Sequence, residues 1–306
     1  MKRTRIILLL VPLAAIVAGV VTYVLRPRET VAPAEPVFHG KRLSEWVVEA
    51  SELGSKDERL QAKEAIRQLG TNALPYLLRL VSNPEPRPNG LVGKVISKLR
   101  SHAGWHEDPT GFALLEKAVR ELYVTTAFNV LGPDANSAIP ALTNLLIKPR
   151  TSYMAASALA SMDPPAIPLL TNALKNPNPI IRANVVAAFD HLGTNSVMVL
   201  HLSIECAKDS DPDVRRNAVK VLGRIGKYKP EPLVPILIES LKDTDPIVRR
   251  HAAASFNDLG DKARPAVPVL LKAAHDPDRY VRSLAKSALK KIDPEAAAHS
   301  RGDDVH

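Results

Sequence analysis

The stretch DSDPDVRRNAVKVLGRIG at 209–226 returns 34 residues later as DTDPIVRRHAAASFNDLG at 243–260. Proline needs no backbone donor in the first turn of a helix, and an aspartate before it can cap the orphan N–H groups there. Asp211-Pro212 and Asp245-Pro246 therefore read as helix starts, with Gly226 and Gly260 as the matching stops. Between them Val214, Ala218, Val221, Leu222 and Ile225 recur at helical spacing on one face. Val248, Ala252, Ser255, Phe256 and Leu259 repeat that face, as do Val281, Ala285, Ala288, Leu289 and Ile292.

A second, shorter apolar pattern follows each stop: ALPYLLRLV at 73, AIPALTNLL at 138, AIPLLTNAL at 166, PLVPILIESL at 232 and AVPVLLKAA at 266. Each unit is thus two antiparallel helices. The stops at Gly70, Gly132, Asp163, Gly193, Gly226, Gly260 and Asp293 are spaced by 62, 31, 30, 33, 34 and 33 residues. The double first interval predicts a degenerate copy inside it, with Val92, Ile96, Leu99 and Ala103 forming its face before Gly104. Helix pairs this small cannot bury their apolar faces alone, so a period in the low thirties predicts an all-α stacked superhelix over residues 55–293.

The segments NPNPIIR, DSDPDVR, DTDPIVR and DPDRYVR resemble the HEAT-repeat family, including the HEAT-like repeats of phycobilin lyases. The resemblance implies that an aspartate six residues before the arginine forms a ladder with it along the stack: Asp209 with Arg215, Asp243 with Arg249 and Asp276 with Arg282. On the same footing the rung of Arg182 lacks its carboxylate, because Asn176 precedes it, and the ladder fails at Glu121 and Ser152. FHGKRLSEW at 38–46 is similar to the entry segment of bacterial membrane-anchored HEAT proteins. There Leu43, Trp46, Val47 and Ala50 share one helical face, which suits a helix within 39–54 capping the open end of the stack.

Ahead of this lies IILLLVPLAAIVAGVVTYVL at 6–25, twenty residues without a charge, enough to cross a hydrocarbon core of about 30 Å. The stretch ends TYVLRPR rather than in a small-residue cleavage site, so it is read as an uncleaved transmembrane anchor. Lys2, Arg3 and Arg5 hold residues 1–5 in the cytoplasm, which puts the repeat domain outside, in the periplasm. Residues 26–38 hold three prolines and read as a spacer, and 294–306 as a polar tail. The formal charge of +9 is half anchor: five basic residues lie in the first 28, leaving 36 basic against 32 acidic. That balance argues against nucleic acid, which calls for a concentrated basic face. Cys206 is the only cysteine, excluding an intrachain disulfide, and its apolar helical setting makes it a core residue.

No nucleophile elbow, HExxH or phosphate loop occurs, and GLVGKV at 90–95 lacks the required glycine spacing and hydroxyl residue. His102, His106, Glu107 and Asp108 cluster around Trp105, but Gly104 breaks the helix that would align the histidines, so a polar loop is the better reading than a metal site. No cofactor is expected. Aligning the second helices instead puts Arg79, Asn144, Asn172, Glu205, Glu239 and Lys272 in one column off the apolar face. In HEAT-like stacks that helix lines the concave side. The expectation is a non-enzymatic scaffold binding a protein partner; the alternative, should the domain face the cytoplasm, is a HEAT-like enzyme such as a bilin lyase or DNA glycosylase.

Overall fold

The computed structural model describes residues 34–51, 54–83, 109–162, 166–192, 197–226 and 232–299. Two compact units divide the chain, Met1–Ala34 and Glu35–His306, and all but the first of the described residues belong to the second. Among the described residues no helix is long and apolar enough to cross a membrane. The expected anchor at 6–25, the degenerate copy at 92–104, the Trp105 loop and the end of the tail lie outside them.

The described chain begins with a two-residue antiparallel hairpin, β1 (Val37–Phe38) and β2 (Lys41–Arg42), with Val37 opposite Arg42 and Phe38 opposite Lys41. His39 and Gly40 both have positive φ, 48° and 75°, as a two-residue turn matched to strand twist requires. Helix α1 (Leu43–Ala50) follows and buries Leu43, Trp46, Val47 and Ala50 against α2 (Lys56–Leu69) and α4 (Pro109–Leu131). Trp46 Nε1 donates to the Phe38 carbonyl at 3.1 Å, and the Ser44 amide donates to Glu35 at 2.7 Å. Residues 35–38, read as the end of a spacer, are therefore fastened to α1, because backbone pairing and the indole N–H give them partners that a free linker lacks.

Beyond α1 the helices alternate between two layers. The long layer comprises α2, α4, α6 (Ser152–Ser161), α8 (Pro179–Ala188), α10 (Pro212–Gly226), α12 (Pro246–Leu259) and α14 (Arg279–Ile292). The other comprises helices of at most 10 residues: α3 (Leu74–Ser82), α5 (Ile139–Leu146), α7 (Ile167–Ala173), α9 (Val197–Cys206), α11 (Val234–Ser240) and α13 (Val267–Ala273). From α4 to α14 each long helix packs on the next. One continuous core runs through all of them, and the three apolar faces read from the sequence are buried within it.

Local chemistry explains the boundaries. Asn178, Asp245 and Asp278 accept backbone N–H bonds as caps of α8, α12 and α14, and Pro75, Pro140, Pro168, Pro235 and Pro268 each fall in the first turn of a short helix. Gly70, Gly132 and Gly260 take φ of 51°, 53° and 56° and turn the chain into a 3-10 segment leading to the short helix. Gly226 does something else. It is the last described residue of α10 and has no positive φ, and a Cβ there would meet Leu259 and Leu233 at 3.1 and 3.2 Å, so glycine here stands in close packing. The tail begins as helix α15 (Pro294–His299), capped by Asp293, whose Oδ1 accepts the Ala296 amide at 3.0 Å, and it packs on α14.

Candidate functional site

The aspartate–arginine ladder is present with a different connectivity from the expected one. Arg215 does not pair with Asp209 six residues earlier; its Nε and Nη2 donate to Asp243 of the next repeat at 2.7 and 2.9 Å. Arg249 reaches Asp276 in the same way at 2.8 and 2.9 Å. Arg182, expected to lack a carboxylate, holds Asp209 at 2.9 and 2.7 Å. The expected pairs Asp209/Arg215, Asp243/Arg249 and Asp276/Arg282 are thus replaced by Arg182/Asp209, Arg215/Asp243 and Arg249/Asp276. The reason is local. Within its own repeat the arginine spends Nη1 on the carbonyls of the loop, 2.9 and 3.0 Å from Arg215 to Asp209 and Ser210, which turns the rest of the fork toward the following repeat. Arg282 makes the same two carbonyl bonds at 2.8 and 3.0 Å, and among the described residues no carboxylate pairs with it.

A second ladder runs beside the first. Arg216 binds Asp245 through Nε at 2.9 Å and a short Nη2 contact, and also bridges to Asp213; Arg250 binds Asp278 through Nε at 2.8 Å and a short Nη2 contact. Asp245 and Asp278 are the helix caps, so each fixes its own helix start and its neighbour at once. Bidentate pairing of this kind favours the ionised carboxylate. Arg216 and the capping amides of Val248 and Ile247 hold Asp245 at about 2 against the cost of burial. At Asp243 and Asp276 burial is the larger influence, yet the guanidinium and a loop amide still leave both carboxyls below the usual range. The doubled arginines at 215–216 and 249–250, matched to Asp-x-Asp spacing, carried this signal in the sequence.

Where the ladders stop, a different cluster takes over. Glu121 on α4 accepts from the Tyr153 hydroxyl in a short bond, and His191 Nε2 lies 2.8 Å from the same Oε1. Tyr153 stands on α6, and the 3-10 turn that follows α8 carries His191 to the same carboxylate. Burial pushes the Tyr153 hydroxyl up and the Glu121 bond reinforces it. Sequence reading found Glu121 as an interrupted rung and missed its partners, which come from 32 and 70 residues away.

The expected column lies on the short helices as read. Arg79, Asn144, Asn172, Glu239 and Lys272 each stand sixth in α3, α5, α7, α11 and α13, and Glu205 occupies the penultimate position of α9. Asn144, Asn172, Glu205, Glu239 and Lys272 are exposed. Arg79 departs: it is half-buried, with its guanidinium 5.0 Å from the Tyr76 ring centroid. Each carboxylate has a neighbour on its own repeat: His201 Nε2 lies 3.3 Å from Glu205, and Lys242 pairs with Glu239 at 2.8 Å. Among the described residues no three His, Cys, Asp or Glu side chains are placed to hold a metal ion, and His102, His106, Glu107 and Asp108 lie outside them. Cys206 is buried, and burial, with Asp209 and Glu205 nearby, pushes its thiol up to about 12.

Residues 199–290 match the family described as HEAT repeats. Apart from Arg182, every residue of both ladders lies within this span. No curated protein matches the chain. Among solved structures it is similar to an engineered protein at 16% identity and a TM-score of 0.45, covering 86% of this chain and 78% of that one. A chain in the structure of Kap95p with RanGDP aligns at 18% identity and 0.43, covering 88% of this chain and 42% of that one. Human deoxyhypusine hydroxylase aligns at 17% identity and 0.29, with 83% and 95% covered.

Proposed function

We propose that the chain is a non-enzymatic scaffold that binds a protein partner along its short-helix face and is tethered to the cytoplasmic membrane by residues 6–25, with the repeats outside. The observation that carries the reading is the combination of two ladders in one layer with the exposed column in the other. The ladders set the spacing of successive repeats, and that spacing presents Asn172, Glu205, Glu239 and Lys272 as a regular series. A fixed backbone spacing lowers the cost of ordering the surface on binding, and exposed carboxylates contribute through association rate and salt sensitivity. The basic head and the uncharged 20-residue stretch support the tether.

The test is capture of the partner by the full chain, comparing Glu205→Lys/Glu239→Lys with the control Asp57→Lys/Glu295→Lys, whose four sites are all exposed. Arg216 and Arg250 are unsuitable controls because both are rungs. The column variant is expected to lose the partner while the control keeps it; the reverse result refutes the assignment. Alkaline phosphatase fused after His306 is expected to be active, and an inactive fusion beside an active cytoplasmic reporter refutes the orientation.

A further inference from the structure

The second ladder has one gap, and a notch lies in it. Ala183 follows the ladder arginine Arg182 as Arg216 follows Arg215 and Arg250 follows Arg249; Asp211 follows Asp209 at the spacing of Asp245 after Asp243 and Asp278 after Asp276. The α8–α10 interface therefore keeps the carboxylate of the second rung without its cation. A cavity of about 250 Å³ opens there, and Ala183, Asp211, Asn184, Asn217, Asp213 and Ile180 line it. We propose that this notch binds the guanidinium of an arginine side chain presented by a partner polypeptide.

Three features fit that ligand. Asp211 Oδ1 accepts the amides of Asp213 and Val214 at 2.9 and 3.3 Å, as Asp245 Oδ1 accepts those of Ile247 and Val248 at 2.8 and 3.1 Å. The carboxylate is thus held in the pose that receives Nε and Nη2 of an arginine one interface further on, but among the described residues no side chain donates to it. Asn184 donates its amide nitrogen to Ser152 Oγ at 2.8 Å and Asn217 donates its own to the Ala183 carbonyl at 2.9 Å, so each carbonyl oxygen remains available to further guanidinium N–H groups. Ile180, 54% exposed at the rim, offers apolar surface to the methylene stem of the incoming side chain. The lining charge leaves one carboxylate over: Arg216 is bonded to Asp245 and Asp213, and Arg182, which also acts on Asp211, is bonded to Asp209, so Asp211 keeps no bonded cation of its own. A planar fork matches this acceptor set with two parallel N–H bonds to the carboxylate and further donors for the amide oxygens, whereas the three donors of an ammonium radiate from one point charge. At the preceding interface Tyr153 and Asn178 occupy the two positions, so neither charge is present and no such site forms.

The test uses the full chain and the peptide acetyl-Gly-Arg-Gly-amide, with lysine and citrulline versions for comparison, read by the side-chain amide NMR signals of Asn184 and Asn217. The expected result is a saturable shift with the arginine peptide, about tenfold tighter than with lysine and absent with citrulline. It should vanish in Asp211→Asn, which keeps the cap, and in Ala183→Arg, which supplies the missing rung internally. Ala183→Arg should also raise the melting temperature, and adding Asp211→Asn should cancel the gain. A shift that survives in Ala183→Arg, equal response to lysine and arginine, no saturable response, or an Ala183→Arg variant that melts at or below the wild-type temperature would each overturn the proposal. Its outcome is independent of capture through the short-helix column.

Discussion

Replacing Arg215 with alanine cuts a rung in the middle of the stack, and its cost can be worked out bond by bond. Two charged hydrogen bonds to Asp243 disappear, at 2.7 and 2.9 Å, with two to the carbonyls of Asp209 and Ser210 at 2.9 and 3.0 Å. The Asp243 side chain is only 12% exposed, so its charge is left largely desolvated without a counter-ion. Charged hydrogen bonds contribute about 1.5–3 kcal/mol, and stranding one member of a buried pair costs about 3–5 kcal/mol. Water can reach the loop carbonyls, so about 3 kcal/mol is the expected loss, equivalent to a fall of about 6–12 °C in melting temperature. Arg282→Ala calibrates the carbonyl share, because Arg282 makes the same carbonyl bonds without a carboxylate, and should cost about 1 kcal/mol or less. The assay is urea unfolding of the full chain in two double-mutant cycles. Arg215→Ala with Asp243→Asn should show coupling of about 2 kcal/mol, and Arg215→Ala with Asp209→Asn close to none. If Arg215 couples to Asp209 and not to Asp243, the forward connectivity of the ladder is wrong.

Gly223→Ala should destabilise by about 1–3 kcal/mol in thermal melts, since a Cβ there falls 2.1 Å from Ser255 Oγ and 3.1 Å from its Cβ, and Ser255→Gly should recover most of the loss. Asp245 is held at about 2 when folded, so its contribution is fully present above the ordinary carboxylate range near pH 4 and is lost as the pH falls through about 2; Asp245→Asn should flatten the acid limb of stability between those values. Burial, helped by Lys220 and Arg216, lowers the His251 pKa, so folding disfavours its protonation and stability should decline as the pH drops below about 6.5; His251→Gln should remove that decline in pH-dependent melts. Cys206, with its thiol pushed up to about 12, should resist iodoacetamide at pH 8 in the folded chain and react on unfolding, as followed by mass spectrometry.

The helical pairs, their faces and the column were legible because each depends on periodicity within a single repeat. Val214, Ala218, Val221, Leu222 and Ile225 could be placed on one buried face from spacing alone. What the sequence did not disclose was which repeat each polar group addresses. Asp209 stands six residues from Arg215 and 27 from Arg182, yet it binds the farther one, because chain proximity brings the nearer arginine to the loop carbonyls instead. The Glu121, Tyr153 and His191 cluster was hidden for a related reason. Its three members come from three successive repeats, so no spacing within one repeat brings them together. Gly226 is the last described residue of its helix, as read, but lacks the positive φ of Gly70, Gly132 and Gly260, and it stands close to Leu259.

Because every rung points from one repeat to the next, the stack has a polarity that governs how it tolerates editing. Ending the chain after the repeat of Arg182, Arg215 or Arg249 leaves an arginine fork facing solvent, where water solvates it readily, whereas starting it at the repeat of Asp245 or Asp278 leaves aspartates that still cap their own helices. A unit bearing Asp-x-Asp-Pro and a doubled arginine, spliced in at residue 243, receives Arg215 and Arg216 on one side and offers its own pair to Asp243 and Asp245 on the other. The C-terminal half of this chain is in that sense an extensible track whose length can be changed one repeat at a time without redesigning a single joint.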